Sequence, residues 1–169
     1  MGYHTDFEGA FTVSPPLHDN HAEYLTAFSQ TRRMKRDASL VALMPDPVRE
    51  AVGLPVGKDG GFFVGNTDNF GQAHTADVLD GNAPPGSQPG LWCQWIPDPD
   101  ANSVIRWDYG EKFYEYVDWI GYLIESFLKP WGYTVNGEVR WRGEEFDDMG
   151  VIVVVDNSVA TMSVSFSKD

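Results

Sequence analysis

The chain has 169 residues, and 25 acids against 12 bases give it a formal net charge of −13. That balance disfavours a nucleic-acid backbone as a partner, because binding one needs clustered Lys and Arg to displace counterions. One cysteine excludes an internal disulfide framework, and no apolar run approaches the ~20 residues that span a bilayer.

In chain order, the opening MGYHTDFEG lacks a basic stretch followed by an apolar one, so no signal peptide is expected. Residues 3–14 alternate, with Phe7, Phe11 and Val13 among polar neighbours, and predict a strand that Pro15-Pro16 stops. Asn20 and Glu23 form a candidate capping box for a helix running to about Arg33, with Tyr24, Leu25 and Phe28 facing inward. The helix end carries Arg32, Arg33, Lys35 and Arg36, where cations complement the helix dipole. Asp46-Pro47 reads as an N-cap with proline in the first helical position, and Gly53 as the stop.

Residues 53–90 hold nine glycines and four prolines. So long a turn-rich segment is expected to be functional or mobile. No Lys or Arg occurs between Asp59 and Ile105, but six aspartates do. Residues 91–97 and 103–107 predict two strands joined by the turn Asp98-Pro99-Asp100-Ala101-Asn102. Asp108 and Glu111 form a second capping box. A long amphipathic helix should follow, burying Phe113, Tyr116, Val117, Ile120, Leu123, Ile124, Phe127 and Leu128, with Trp119 and Tyr122 off the stripe. Pro130 and Gly132 end it. Asn136-Gly137 then predicts a type I′ hairpin between residues 133–135 and 138–142. An acidic connection leads to Val151–Val155, whose five apolar residues suggest a strand buried on both faces or near the sheet centre. Asp156-Asn157-Ser158 turns into a last strand near 159–166. The expected fold is α+β: a mostly antiparallel sheet packed with two main helices in a two-layer single domain spanning 1–169.

Few motifs carry chemistry. Asp98-x-Asp100-x-Asn102 begins like a calcium loop, but Ser103 and Tyr109 stand where glycine and glutamate belong. His18, Asp19 and His21 could cluster at a helix start, where caps explain them more simply. Cys93, between Trp92 and Trp95 on a predicted strand, has no identifiable base and reads as core. The glycines and lysine of Gly57–Gly61 lack Walker spacing. No catalytic residue, metal or cofactor is therefore expected.

The stretches SQTRRMKRD (29–37), PGLWCQW (89–95) and GEKFYEYVDWIGYLIESFLKPWGYTVNGEV (110–139) resemble a set of uncharacterised small proteins of bacteria and their phages. The resemblance implies a standalone small domain and transfers no activity, cofactor or site residue. A phage origin favours an inhibitor of host machinery.

The functional expectation is a cytoplasmic, acidic, non-enzymatic binding protein. Glu115, Asp118, Glu144, Glu145, Asp147 and Asp148 would engage a basic host or phage protein, with no membrane or direct nucleic-acid contact. The bland reading of the last four acids is a solvated turn, their repulsion eased by Arg140 and Arg142 on the preceding strand. The alternative is a small anionic-ligand binder or enzyme, its pocket under the 53–90 loop, with Arg32, Arg33 and Arg36 receiving the anion and an Asp or His74 serving acid/base work. A third reading, an assembly component, would show an exposed apolar patch on 151–155 or 159–166.

Overall fold

The computed structural model describes residues 2–163. The fold is α+β, with one large antiparallel sheet and a few helices. Two compact units divide the chain: residues 1–17 with 94–169, and the intervening His18–Cys93. Among the described residues no helix is long and apolar enough to cross a membrane.

The first unit holds the six-stranded sheet. Its strands are β1 (Thr5–Ser14), β4 (Trp95–Asp98), β5 (Ala101–Trp107), β6 (Thr134–Gly143), β7 (Met149–Val155) and β8 (Ser158–Ser163), in the order β4-β5-β1-β6-β7-β8. The predicted alternation of β1 holds. Thr5, Phe7, Phe11 and Val13 are buried, and the long β1–β6 ladder runs from Thr5 opposite Gly143 to Ser14 opposite Thr134. One face carries Phe7, Phe11, Trp95, Ile105, Val139, Ile152 and Val154 into the core. Helix α4 (Tyr116–Leu123) and the π turn Ile124–Leu128 add Trp119, Ile120, Leu123, Ile124, Phe127 and Leu128 to it. Phe7 is the hub of an aromatic cluster, with ring centroids 4.9–5.7 Å from Tyr116, Trp107, Trp95 and Phe113. Edge-to-face pairs of this kind add to the area they bury.

Several expectations change here. Asn136-Gly137 does not turn the chain. β6 runs straight through it, with Asn136 opposite Thr12 and Gly137 opposite both Phe11 and Val154. Gly137 has φ +138°, and a Cβ there would lie 2.8 Å from the Ala10 carbonyl oxygen. Across the same ladder Gly9, opposite Val139, has φ +103°, and a Cβ would lie 2.6 Å from the Glu138 carbonyl oxygen. Both glycines serve close strand approach rather than a hairpin. The two-residue turn lies instead at Asp156-Asn157, where φ values of 47° and 71° match a type I′ turn and Val155 pairs with Ser158. Asn157 ties that turn to the chain entering β6: its Oδ1 accepts the Val135 N–H at 2.7 Å and its Nδ2 donates to Tyr133 O at 3.1 Å.

The long helix begins late. Asp108 accepts the Gly110 N–H at 2.7 Å in a local turn, and Tyr109, Lys112 and Glu115 all take positive φ. Helical hydrogen bonding therefore starts only after Glu115, and Phe113 enters the core from the irregular lead-in. Trp119, expected off the stripe, is fully buried. β7 is not buried on both faces: Ile152 and Val154 point inward while Val151 and Val153 are half-buried and Val155 is 58% exposed. It lies between β6 and the edge strand β8, one strand in from the edge of the sheet. The predicted last strand is β8, and residues 164–166 of that expectation lie outside the described residues.

The second unit contains α1 (Asp19–Ser29), the short helices α2 (Ala38–Val41) and α3 (Pro47–Ala51), and a two-stranded ribbon of β2 (Lys35–Arg36) and β3 (Val78–Asp80). Tyr24, Leu25 and Phe28 face inward as expected. His18, not Asn20, caps α1 through its ring, and the helix ends at Ser29, short of the basic cluster. Pro47 opens α3 as expected, but the Asp46 side chain makes no cap hydrogen bond. Phe63 and Val64 are buried and anchor the glycine-rich segment. Cys93 is buried but precedes the first residue of β4, so it is not a strand residue.

Candidate functional site

The basic cluster lies inside the second unit. Arg33 and Arg36 are each 2% exposed. Arg33 donates from Nη2 to Gly61 O at 2.8 Å and to Phe63 O at 3.0 Å, and from Nε to Gln88 Oε1 at 3.2 Å. Arg36 forms a 2.7 Å ion pair with the buried Asp77 and lies 4.8 Å from the Phe63 ring centroid. Arg32 donates from Nε to Gly81 O at 3.0 Å. The guanidinium groups of Arg33 and Arg36 are thus committed to the protein's own loops and one carboxylate. This placement favours a scaffold role over the anion-receiving one. Burial works against ionisation of Asp77, but the Thr75 hydroxyl and the Arg36 guanidinium hold its carboxyl below the usual range.

The aspartates of this region have a similar office. Asp59 accepts the Gly86 N–H, Asp80 the Asn82 N–H, and Asp46 both the Val64 N–H and the Arg49 Nε. The Asp98–Asn102 segment is a turn: Asp98 accepts the Asp100 N–H at 2.8 Å and pairs with Arg106 at 3.1 Å, while Asn102 donates to Leu17 O. Among the described residues no group of three or more His, Cys, Asp or Glu is placed to hold a metal.

The expected partner-binding acids belong to one end of the sheet unit, where three segments meet. The first is the start of the chain. Tyr3 donates its hydroxyl to Asp148 Oδ2 at 2.7 Å and accepts the Glu145 N–H at 3.0 Å, and the His4 N–H is held by Glu144 at 2.8 Å. The second is the lead-in to α4, where the Tyr114 hydroxyl accepts the Tyr3 N–H at 3.1 Å and Lys112 N–H points at the His4 ring. The third is the β6–β7 turn, tied down by Trp141 Nε1 donating to Asp148 Oδ1 at 3.0 Å. Tyr116 sits among them, its ring 5.9 Å from that of Trp141. Burial pushes its phenol up to about 12, and the charges of Asp148 and Glu115 add to that. Glu115 and Asp118 line a shallow cavity of about 250 Å³ with Tyr116 and Val117.

Asp148 therefore differs from the other five acids. Both its oxygens are spent on Tyr3 and Trp141, so it organises the turn. Glu115, Asp118, Glu144, Glu145 and Asp147 are exposed. None of the six forms an ion pair among the described residues, and Arg140 and Arg142 do not reach the turn acids. On β6 these two arginines instead lie directly across from Glu8 and Asp6 of β1. Tyr109, Tyr114 and Phe146, which the sequence did not single out, are 69%, 50% and 74% exposed in these same segments. A large aromatic side chain inside a run of acids, such as Phe146 in Glu144–Asp148, was the signal available.

A mostly antiparallel α+β protein with an acidic, aromatic end is the class these observations define. No protein-family model, curated protein or solved structure matches this chain.

Proposed function

We propose that the protein is a non-enzymatic binding protein whose acidic, aromatic end engages a partner with a basic surface. The observation that carries this reading is the convergence, on hydrogen-bonded segments, of exposed aromatic rings and acids that form no ion pair among the described residues. Exposed carboxylates steer a cationic partner and raise its association rate. Exposed aromatic rings supply apolar anchors at such an interface. The network of Tyr3, Trp141 and Asp148 pre-orders the turn, which lowers the entropy cost of binding. A net charge of −13 suits a protein that competes for a surface ordinarily occupied by phosphate, and a resemblance to small proteins of bacteria and their phages leaves an inhibitor of host machinery as one form of this reading.

The test is affinity capture with the tagged full chain at low and high salt, run beside the variant Glu144→Gln/Glu145→Gln/Asp147→Asn. The expected result is a stoichiometric basic protein held at low salt, released at high salt and absent from the variant. Capture that ignores both salt and the substitutions would sink the proposal.

A further inference from the structure

A cavity of about 360 Å³ lies in the second unit between the end of α1 and residues 64–71. It shares no residue with the acidic end. Gln30 and Thr31 line one side, Val64, Asn66 and Phe70 another, and Trp92 contributes an indole. Among the described residues no Asp, Glu, Lys, Arg or His lines it. A charged ligand would lose its hydration with no counter-charge to replace it, so the site selects against ions. Its polar groups are neutral. Among the described residues the exposed Gln30 amide makes no hydrogen bond, leaving donors and an acceptor for a guest. Asn66 donates from Nδ2 to Ala73 O at 2.9 Å, which fixes the amide and leaves Oδ1 as an acceptor. The volume is at the small end of ligand sites and suits one ring system better than a whole nucleotide.

Phe70 marks the site out. Its ring is 85% exposed, although burying a phenylalanine is favourable. Asn69 and Phe70 are consecutive non-glycine residues with φ of 49° and 57°. That costly backbone pair holds an aromatic ring at the rim of a cavity, and such strain collects at ligand clamps. We propose that this cavity binds an uncharged planar heteroaromatic ring, nucleobase-like in size and hydrogen-bonding edge, with Phe70 and Trp92 supplying aromatic contact and the Gln30 and Asn66 amides reading its edge.

The experiment is a titration of the isotope-labelled full chain with adenine, nicotinamide and nicotinate, followed by amide and indole NMR shifts. Nicotinate is the pyridine ring of nicotinamide bearing a carboxylate, so the pair isolates charge. The expected result is saturable shifts at Gln30, Asn66 and Trp92 with adenine or nicotinamide, and binding of nicotinate weaker by about tenfold or more. Phe70→Ala removes an exposed ring and keeps the fold, yet should weaken binding about tenfold. Gln30→Ala, also at an exposed position, should weaken it by a smaller factor. The proposal is overturned if none of the probes gives saturable shifts there, if nicotinate binds as well as nicotinamide, or if both variants bind unchanged.

Discussion

The two units solve the same problem by opposite means. In the sheet unit, backbone N–H and C=O groups satisfy one another across strands such as the β1–β6 ladder, which frees the side chains to form an aromatic core around Phe7. In the His18–Cys93 unit there is little ladder, and side chains do the pairing. Arg33 serves Gly61 and Phe63, Arg49 serves Leu54, Tyr24 serves Phe62, and aspartates receive the N–H groups of Val64, Asn82 and Gly86. Buried backbone groups must be paired somewhere. A segment rich in glycine and proline can therefore be a scaffold rather than a loop, provided its own side chains bring the missing donors and acceptors.

The sharpest way to break this contrast is Asp77→Asn. It leaves the buried Arg36 without its counter-charge and should cost about 3–5 kcal/mol in denaturant unfolding, with hydrogen exchange rising most near Arg36 and Phe63. Replacing both partners, Arg36→Met with Asp77→Leu, should restore much of that loss, because no uncompensated charge then remains. In the sheet unit the matching probe is Gly137→Asn. A type I′ turn would accept asparagine, but this strand has no room for a Cβ, so a loss of about 1–3 kcal/mol in thermal unfolding is expected.

Tyr116 gives a smaller, pH-dependent effect. Its folded phenol ionises near 12, against 10.0 for a free one, so the folded state holds this proton more tightly. The stability it contributes is whole below pH 10 and drains away as pH rises toward 12. Tyr116→Phe should flatten that alkaline loss and remove the late step from a tyrosinate titration. Smallest of all, Glu145→Gln with Asp147→Asn should change unfolding stability by no more than about 0.5 kcal/mol, since both are exposed and form no ion pair among the described residues. A larger shift would mean that these acids hold the unit together rather than serve its surface.

The sequence made the sheet unit more legible than its neighbour, for reasons visible in single residues. Phe7, Phe11 and Val13 alternate because one face of β1 is buried, and period-two patterns survive without tertiary knowledge. Asp156-Asn157 was readable as a turn for the same reason. Asn136-Gly137 misled because the freedom a hairpin needs is also what two closely packed strands need, and local sequence does not say which. The start of α4 misled because Asp108 and Glu111 match a capping box, whereas three positive-φ residues delay the helix. Arg33 and Arg36 were misplaced because arginine is seldom buried. The clue was their partner segment, which from Asp59 onward has no Lys or Arg of its own. Of the site, the acids were legible as a composition. The bond from Tyr3 to Asp148 joins residues more than a hundred positions apart and leaves no local trace.

The placement of Asn136-Gly137 bears on how the molecule ages. Asparagine followed by glycine is the pair most apt to cyclise and deamidate when the chain is slack, and asparagine is among the thermolabile residues. Here the extended backbone is clamped between β1 and β7, and the Asn136 side-chain oxygen is held by the Asp156 N–H at 2.8 Å. The chemistry must then wait for the sheet to open. Isoaspartate accumulating at position 136 would act as a slow clock, recording the total time each molecule has spent with that strand undone.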